Sequence, residues 1–143
     1  TQTVPLQVKI AITNLLKQVP GINNAYLNRP QPVGENEGAV IILREDVHNN
    51  RQDNQTTQSL TLQLRISIHL PVFVGGEPLD VVADPYWQAV HTVMTGTVRQ
   101  LPGVQGVLYR QGQPEAEGDA GRLDLVYDVR VRTYQQNLAQ VVP

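Results

Sequence analysis

The sequence lacks cysteine, a long apolar run and a large excess of charge of either sign. With no cysteine, disulfide bonds, thiolate nucleophiles and zinc–thiolate sites are all excluded, which is typical of a protein made in a reducing compartment. No apolar stretch approaches the roughly 20 residues of a membrane-spanning helix. The first residues, TQTVPLQ, lack the basic and apolar regions of a signal peptide. We therefore expect a cytosolic type of product and no membrane partner.

The net charge and the composition indicate which kinds of partner and which type of protein to expect. A formal net charge of −2 provides no global positive field to neutralise nucleic-acid phosphates, so we expect no specific nucleic-acid ligand. The chain has 143 residues, of which 41% are hydrophobic and 17% charged. These values are typical of one folded soluble domain, which we place over residues 1–143.

The first helix is predicted from apolar periodicity near the start of the chain. Apolar residues recur at spacings of three and four between Val4 and Val19, which predicts a helix over 5–19 with Pro5 in its first turn. The stretch KQVPGI (17–22) then ends the helix, because proline cannot continue the hydrogen-bond ladder and glycine can adopt a left-handed turn.

A second helix is predicted in the middle of the chain, ending in a similar stretch. Asp84 is a candidate N-cap, Pro85 suits the first helical position, and apolar residues follow at helical spacing, which predicts a helix over 85–101. The stretch RQLPGV (99–104) repeats the helix stop. Both internal duplication and chance remain open as its origin, since Pro-Gly commonly follows a helix.

Four segments are predicted to be strands. The stretches SLTLQLRISIHL (59–70) and RLDLVYDVRVRTY (122–134) alternate apolar and polar residues, which predicts strands with one buried face. AVIILRE (39–45) is a nearly continuous apolar run suited to a central strand, and GVLYRQ (106–111) is the fourth strand. The polar segment 46–58 is predicted to be a flexible loop, because it is too long for a hairpin turn.

These elements predict an α+β fold of order αββαββ. Each helix precedes a pair of strands, so we expect a mainly antiparallel sheet covered on one face by two helices. Residues 135–143 are expected to form a C-terminal tail that docks on a neighbour or frays.

The sequence contains no recognisable catalytic or metal-binding motif. His48, His69 and His91 are not at any metal-ligand spacing, and no Walker A or GxSxG pattern is present. We therefore expect no enzyme activity, no catalytic residues, no cofactor and no metal.

The strand over 122–134 nevertheless leaves two interpretations of its polar face open. Asp124 and Asp128 point to one face, where paired carboxylates could serve as an acid–base couple or bind a ligand. Arg130 and Arg132 lie on the same face and favour a charged surface that contacts neighbouring strands or subunits.

The order of these stretches resembles the tail terminator proteins of long-tailed bacteriophages, of the minor tail protein U type. The resemblance covers residues 4–134 and rests on element order and short phrases. These are QVPGI, AVIILRE, LTLQLRISIHL, DPYWQAVHTVM, LPGV and RLDLVYDVRVRTY.

The resemblance implies a virion protein without catalytic residues. Such a subunit assembles as a hexameric ring at the head-proximal end of the tail, stops polymerisation of the tube and offers a surface for joining the head. The implied partners are other copies of the chain, the tail tube protein and a head–tail connector or neck protein. The ring is compatible with passage of the genome, and the protein is implied to be made in the cytoplasm of a bacterial host.

Two alternatives remain beside this interpretation: another neck or head-completion connector, and a small α+β enzyme or ligand-binding domain that uses Asp124 and Asp128. No short motif of the family marks individual residues, so the contact residues are predicted from the charged strand faces and the polar segment. The predicted subunit or tube contacts are Arg65, Asp128, Arg130, Arg132, His48, Asn50, Arg51 and Asp53.

Overall fold

The computed structural model describes residues 2–70, 77–117 and 120–142, apart from the side chains of residues 35, 47, 48 and 117. Short 3-10 turns lie at Glu35–Glu37 and Thr97–Gln100. No helix within the described ranges is long and apolar enough to cross a membrane. The main elements are α1 (Val4–Leu16), β1 (Asn24–Leu27), β2 (Val40–Gln52), β3 (Thr57–Leu70), α2 (Leu79–Thr95), β4 (Val104–Glu117), β5 (Ala120–Tyr134) and β6 (Asn137–Val141).

The strands form one mixed, mostly antiparallel and curled sheet. Its order is β1-β2-β3-β5-β4, and β6 also pairs with β5. Only β1 and β2 run parallel. The predicted α+β class and both predicted hairpins, β2–β3 and β4–β5, are confirmed. Strands β1 and β6 were not predicted, because segments of four and five residues are too short to show an alternating pattern.

The core lies between the two helices and one face of the sheet. The alternating apolar residues of β3 and β5 are fully buried on this face, as their period of two predicts. Burying each such side chain contributes about 1.5–3 kcal/mol. The helices and strands supply, among others, Val8, Ile12, Val90, Met94, Leu62, Leu64, Ile66, Leu123, Leu125 and Tyr127.

Helix α1 begins close to its predicted start but ends at Leu16, three residues before the predicted end at Val19. The Thr3 hydroxyl caps the helix by accepting a hydrogen bond from the Leu6 amide, and Pro5 lies in the first turn. Gly21 and Gly103 have φ angles of +86° and +90°, so both glycines adopt the left-handed conformation that the repeated stretch predicts.

The predicted bounds of the second helix were wrong at both ends. Helix α2 begins at Leu79 and contains Pro85 in its interior, although such a proline costs roughly 3 kcal/mol. The preceding turns bury Ala83 and pack Leu79 against the core, and this burial offsets part of the cost. The helix ends before Gly96, ahead of the predicted stop.

The two hairpins are longer than predicted. Residues 46–58, predicted to be a loop, form the distal parts of β2 and β3, and only 53–56 connect the two strands. A bulge between Glu45 and Val47 shifts the register of β2, which interrupts its alternation. Likewise β4 continues to Glu117, beyond the predicted 106–111. Polar residues can occupy these strands because each hairpin arm has an exposed side.

His91 connects α2 to the sheet. Its Nδ1 atom lies 2.9 Å from the Tyr127 hydroxyl, and its ring stacks edge-on against Tyr109, with the centroids 4.9 Å apart. Burial raises the pKa of Tyr127, and the nearby Tyr109 adds to this shift. His91 is therefore a partly buried residue that links α2 to β5 through the Tyr127 hydroxyl.

The connection between β1 and β2 is held by an ion pair. Both oxygens of Glu37 accept hydrogen bonds from Arg29, whose guanidinium lies 4.6 Å from the centre of the Tyr26 ring. The bond from Arg29, followed by the bond from the Gly34 amide, lowers the pKa of Glu37 from its ordinary value of 4.5 to about 2.

We expect acid to weaken this connection in a pH range set by Glu37. Because the pKa is lower in the folded chain, the interaction stabilises the fold fully above pH 4.5 and is lost as the pH falls toward about 2. Denaturant unfolding of the wild type and Glu37→Gln across this range should show a difference that shrinks in acid. A difference in unfolding free energy that stays constant with pH would contradict the assignment.

Candidate functional site on the charged face of the sheet

The side of the sheet opposite the helices presents a field of polar and charged side chains. Residues of β3 and β5 that alternate with the core residues point to this side, since successive side chains of a strand alternate. We call this side the charged face. On β3 and β5 it includes Thr61, Gln63, Arg65, Ser67, Arg122, Asp124, Asp128, Arg130 and Arg132.

A ladder of alternating charges crosses the charged face through four strands. The Arg65 guanidinium lies 2.9 Å from the Asp46 carboxylate and 3.9 Å from Asp124. Arg122 lies 3.1 Å from Asp124 and 2.7 Å from Glu115. The order from β2 to β4 is therefore negative, positive, negative, positive, negative, and each arginine lies between two carboxylates.

Asp124 is the most enclosed member of this ladder. The residue is 9% exposed, and its carboxylate accepts a 2.7 Å hydrogen bond from the buried Ser67 hydroxyl in addition to its contacts with Arg65 and Arg122. The carboxylate is thus surrounded by donors from its own chain, an arrangement that holds two strands together.

The geometry gives no support to a catalytic pair of Asp124 and Asp128. Asp128 has separate partners, with Arg110 at 2.8 Å and the Gln63 amide at 3.5 Å. Four residues along a strand separate the two backbones by roughly 13 Å, too far for the carboxylates to share a proton or an ion. Across the described parts of the chain, no cluster of side chains is suited to hold a metal ion.

Arg132 stabilises the tip of the β2–β3 hairpin. Its guanidinium lies 3.1 Å from the Asp53 carboxylate and donates to the Thr57 hydroxyl at 3.1 Å. Asp53 also accepts a 2.9 Å hydrogen bond from Ser59. Two predicted contact residues, Asp53 and Arg132, therefore bind each other within one chain.

Arg130 differs from these arginines because it is exposed and has no ion pair or side-chain hydrogen bond within residues 2–70, 77–117 and 120–142. It borders a shallow hollow that is also lined by Thr61, Gly106, Leu108 and Asp128. Nothing lies within 4 Å of a Cβ placed on Gly106, so the hollow is open. The arginine is available to a carboxylate from another molecule.

The other predicted contact residues divide between the two sides of the sheet. Arg51 pairs in register with Ser59, on the charged face. Asn50 is opposite Leu60 and lines a groove on the helix side, so the structure does not bring it to the same surface. His48 lies in β2, but its side chain is outside the described part of the structure.

Solved structures share this fold. One of them is a chain in the virion of a native gene transfer agent particle, with a TM-score of 0.64 and 18% sequence identity. The alignment covers 92% of this chain and 96% of the other. At this identity the likeness establishes a common fold over nearly the whole of both chains. No protein-family model matches the sequence, and neither does any curated protein.

The sequence patterns did not identify several residues of the charged face. Asp46 was placed in a loop, and Arg110 lies at a bulge between Tyr109 and Gln111, which no pattern in the sequence marks. Glu115 lies beyond the strand predicted over 106–111, and it is directly opposite Arg122. Glu115 and Arg122 carry opposite charges on either side of the segment that connects β4 and β5. This pairing of charges is the signal in the sequence that would have indicated a longer β4–β5 hairpin.

Proposed function

We propose that this chain is a structural virion protein that forms a ring of identical subunits, six as in the tail terminators it resembles. The ring caps the tail tube, ends its polymerisation and provides the surface for joining the head. The observation that supports this most is the fold shared with a chain of the gene transfer agent virion, a phage-like particle. The element order of the sequence supports it independently.

The charged face suits a role in assembly better than one in catalysis. The carboxylates of Asp124 and Asp128 are paired with arginines of the same chain, whereas Arg130 is exposed and has no ion pair within the described ranges. A face with both signs of charge can supply complementary patches for the head-to-tail contacts between neighbouring subunits of a closed ring. The proposed role is therefore structural rather than enzymatic, and requires no cofactor.

The partners follow from this place in the particle. On one side the ring would contact the tail tube protein, and on the other a head–tail connector or neck protein, at the head-proximal end of the tail. The shared fold also favours a second candidate, a neck or head-completion connector, because the likeness is to a virion chain and is independent of its position in the particle.

Electron microscopy of particles labelled with an antibody against the chain tests the proposal. We expect label only at the junction of head and tail. Particles blocked before joining separate the two candidates, because free tails keep the label if the chain is a terminator, and free heads keep it if the chain completes the head. Particles without label would overturn both.

A further inference from the structure

The sheet has two open edges, each with a strand that is paired on one side only within the described ranges. Strand β4 pairs with β5 along most of its length and with no other strand. Strand β2 has β1 beside it only as far as Leu43. From Arg44 to Gln52 it pairs with β3 alone. Both edges therefore present backbone N–H and C=O groups to a partner strand.

We infer that, in the ring proposed above, β4 of one subunit pairs with the segment Arg44–Gln52 of β2 in the next subunit. The occupant of each open edge is thus a second copy of this chain. The inference rests on the proposed ring and names the contact that builds it.

Exposed apolar side chains on β4 favour pairing of this edge. Leu108 is 56% exposed and its neighbour Tyr109 is 36% exposed, and together they are half of the four large hydrophobic residues exposed within the described ranges. Natural proteins usually protect an open edge with charged residues or proline. Here proline enters β4 only at Pro114, and the nearest charge to Leu108 within β4 is Arg110. Arg110 pairs with Asp128 of the same chain, so the segment around Leu108 is left accessible to a strand.

The strand directions match this arrangement. Since β2 and β3, β3 and β5, and β5 and β4 are each antiparallel, β4 runs opposite to β2. Rotation about a ring axis preserves the component of each strand direction along that axis, so β4 meets the neighbouring β2 as an antiparallel pair where the strands run along the axis. The two different edges make a head-to-tail contact, which closes into a ring when the rotation permits.

The side chains along the two edges are compatible. Both edges carry several neutral amides, which can hydrogen-bond to one another. Among the charged residues of the two edges, Asp46 and Arg110 are already paired within the chain. Leu108 points to the charged face, opposite Asp128, as do Asn49 and Arg51 of β2. The joint would thus extend the charged face from one subunit to the next. The exposed amides are Gln105, Gln111 and Gln113 on β4 and Asn49, Asn50 and Gln52 on β2.

Cysteine cross-linking tests the pairing cleanly, because the chain has no cysteine. Two double variants, Leu108→Cys with Asn49→Cys and Leu108→Cys with Arg51→Cys, cover two registers on the same face. Directly opposite Cβ atoms are about 4.5–5.5 Å apart, which suits a disulfide with slight adjustment. If the true register differs by one residue pair from these two, a short bis-maleimide can still link the two cysteines. The three single variants are the controls, and native mass spectrometry of the concentrated chain gives the oligomeric state.

We expect a ladder of covalently linked oligomers from at least one double variant, in the concentrated chain or in virions. The single variants should give only chains without covalent links. Efficient dimers from Leu108→Cys alone would show pairing of two β4 edges and overturn the inference. Rings without cross-links in either double variant would also overturn it while leaving the proposed function intact. If the chain forms no oligomer and is absent from particles, the proposed function itself fails.

Discussion

Replacing Gly112 with alanine is expected to lower the free energy of unfolding by about 2–4 kcal/mol. A Cβ atom at this position would lie 2.3 Å from the Trp87 ring, 2.4 Å from the Tyr109 hydroxyl and 2.9 Å from the Leu125 side chain. Leu125 is fully buried, and the tryptophan packs against the core, so these groups cannot all move aside. The strand would have to separate from α2, and the packing of the helix would weaken.

Gly106→Ala is the matched control, because it adds the same methyl group to the same strand with nothing within 4 Å. We expect its unfolding free energy to stay within about 0.5 kcal/mol of the wild type. Denaturant unfolding measures both variants, and fluorescence of Trp87, the single tryptophan, reports directly on the contact with Gly112. Equal stability of the two variants would show that α2 does not pack on β4 as described.

Arg130→Glu is expected to prevent ring formation and head–tail joining while the monomer stays folded. The side chain is exposed and has no partner in its own chain among the described residues, so reversing its charge should change the unfolding free energy by less than about 0.5 kcal/mol. Truncating one member of a charge pair at an interface costs about 2–5 kcal/mol, and placing like charges together adds repulsion. In a ring, the same contact is repeated between each pair of neighbouring subunits, so this loss of binding free energy is repeated at every interface.

Three further variants make this result specific to Arg130. Lys17→Glu produces the same change in net charge at the end of α1, away from the charged face, and should assemble normally. Arg130→Lys keeps the charge and should retain part of the assembly. Arg132→Glu should instead reduce the stability of the monomer, because it loses the contact with Asp53.

Native mass spectrometry and electron microscopy of assembled tails measure the outcome. If Arg130→Glu assembles as well as Lys17→Glu does, Arg130 makes no contact between molecules. The proposed ring would then have to be held by other residues, and the pairing of β2 with β4 would remain open to its own test.

The sequence by itself determined the elements whose pattern is local and long. The alternation in β3 and β5 identified the buried face of each strand before any contact was known, because side chains of a strand alternate with a period of two. The two Pro-Gly stretches predicted the left-handed glycines Gly21 and Gly103. The same alternation placed Asp128, Arg130 and Arg132 on one face, which became the charged face.

Only the tertiary structure decided what these faces and ends contact. Strand β1 exists because β2 pairs with it, and α2 starts at Leu79 because its first turns reach the core. The contacts of Arg132 with Asp53 and of Arg65 with Asp46 depend on the β2–β3 hairpin. Its distal part was predicted from the sequence to be a loop, so the register of these contacts could not be predicted. Local periodicity shows which side of a strand is buried, but pairing and register are set by backbone hydrogen bonds and packing between distant segments.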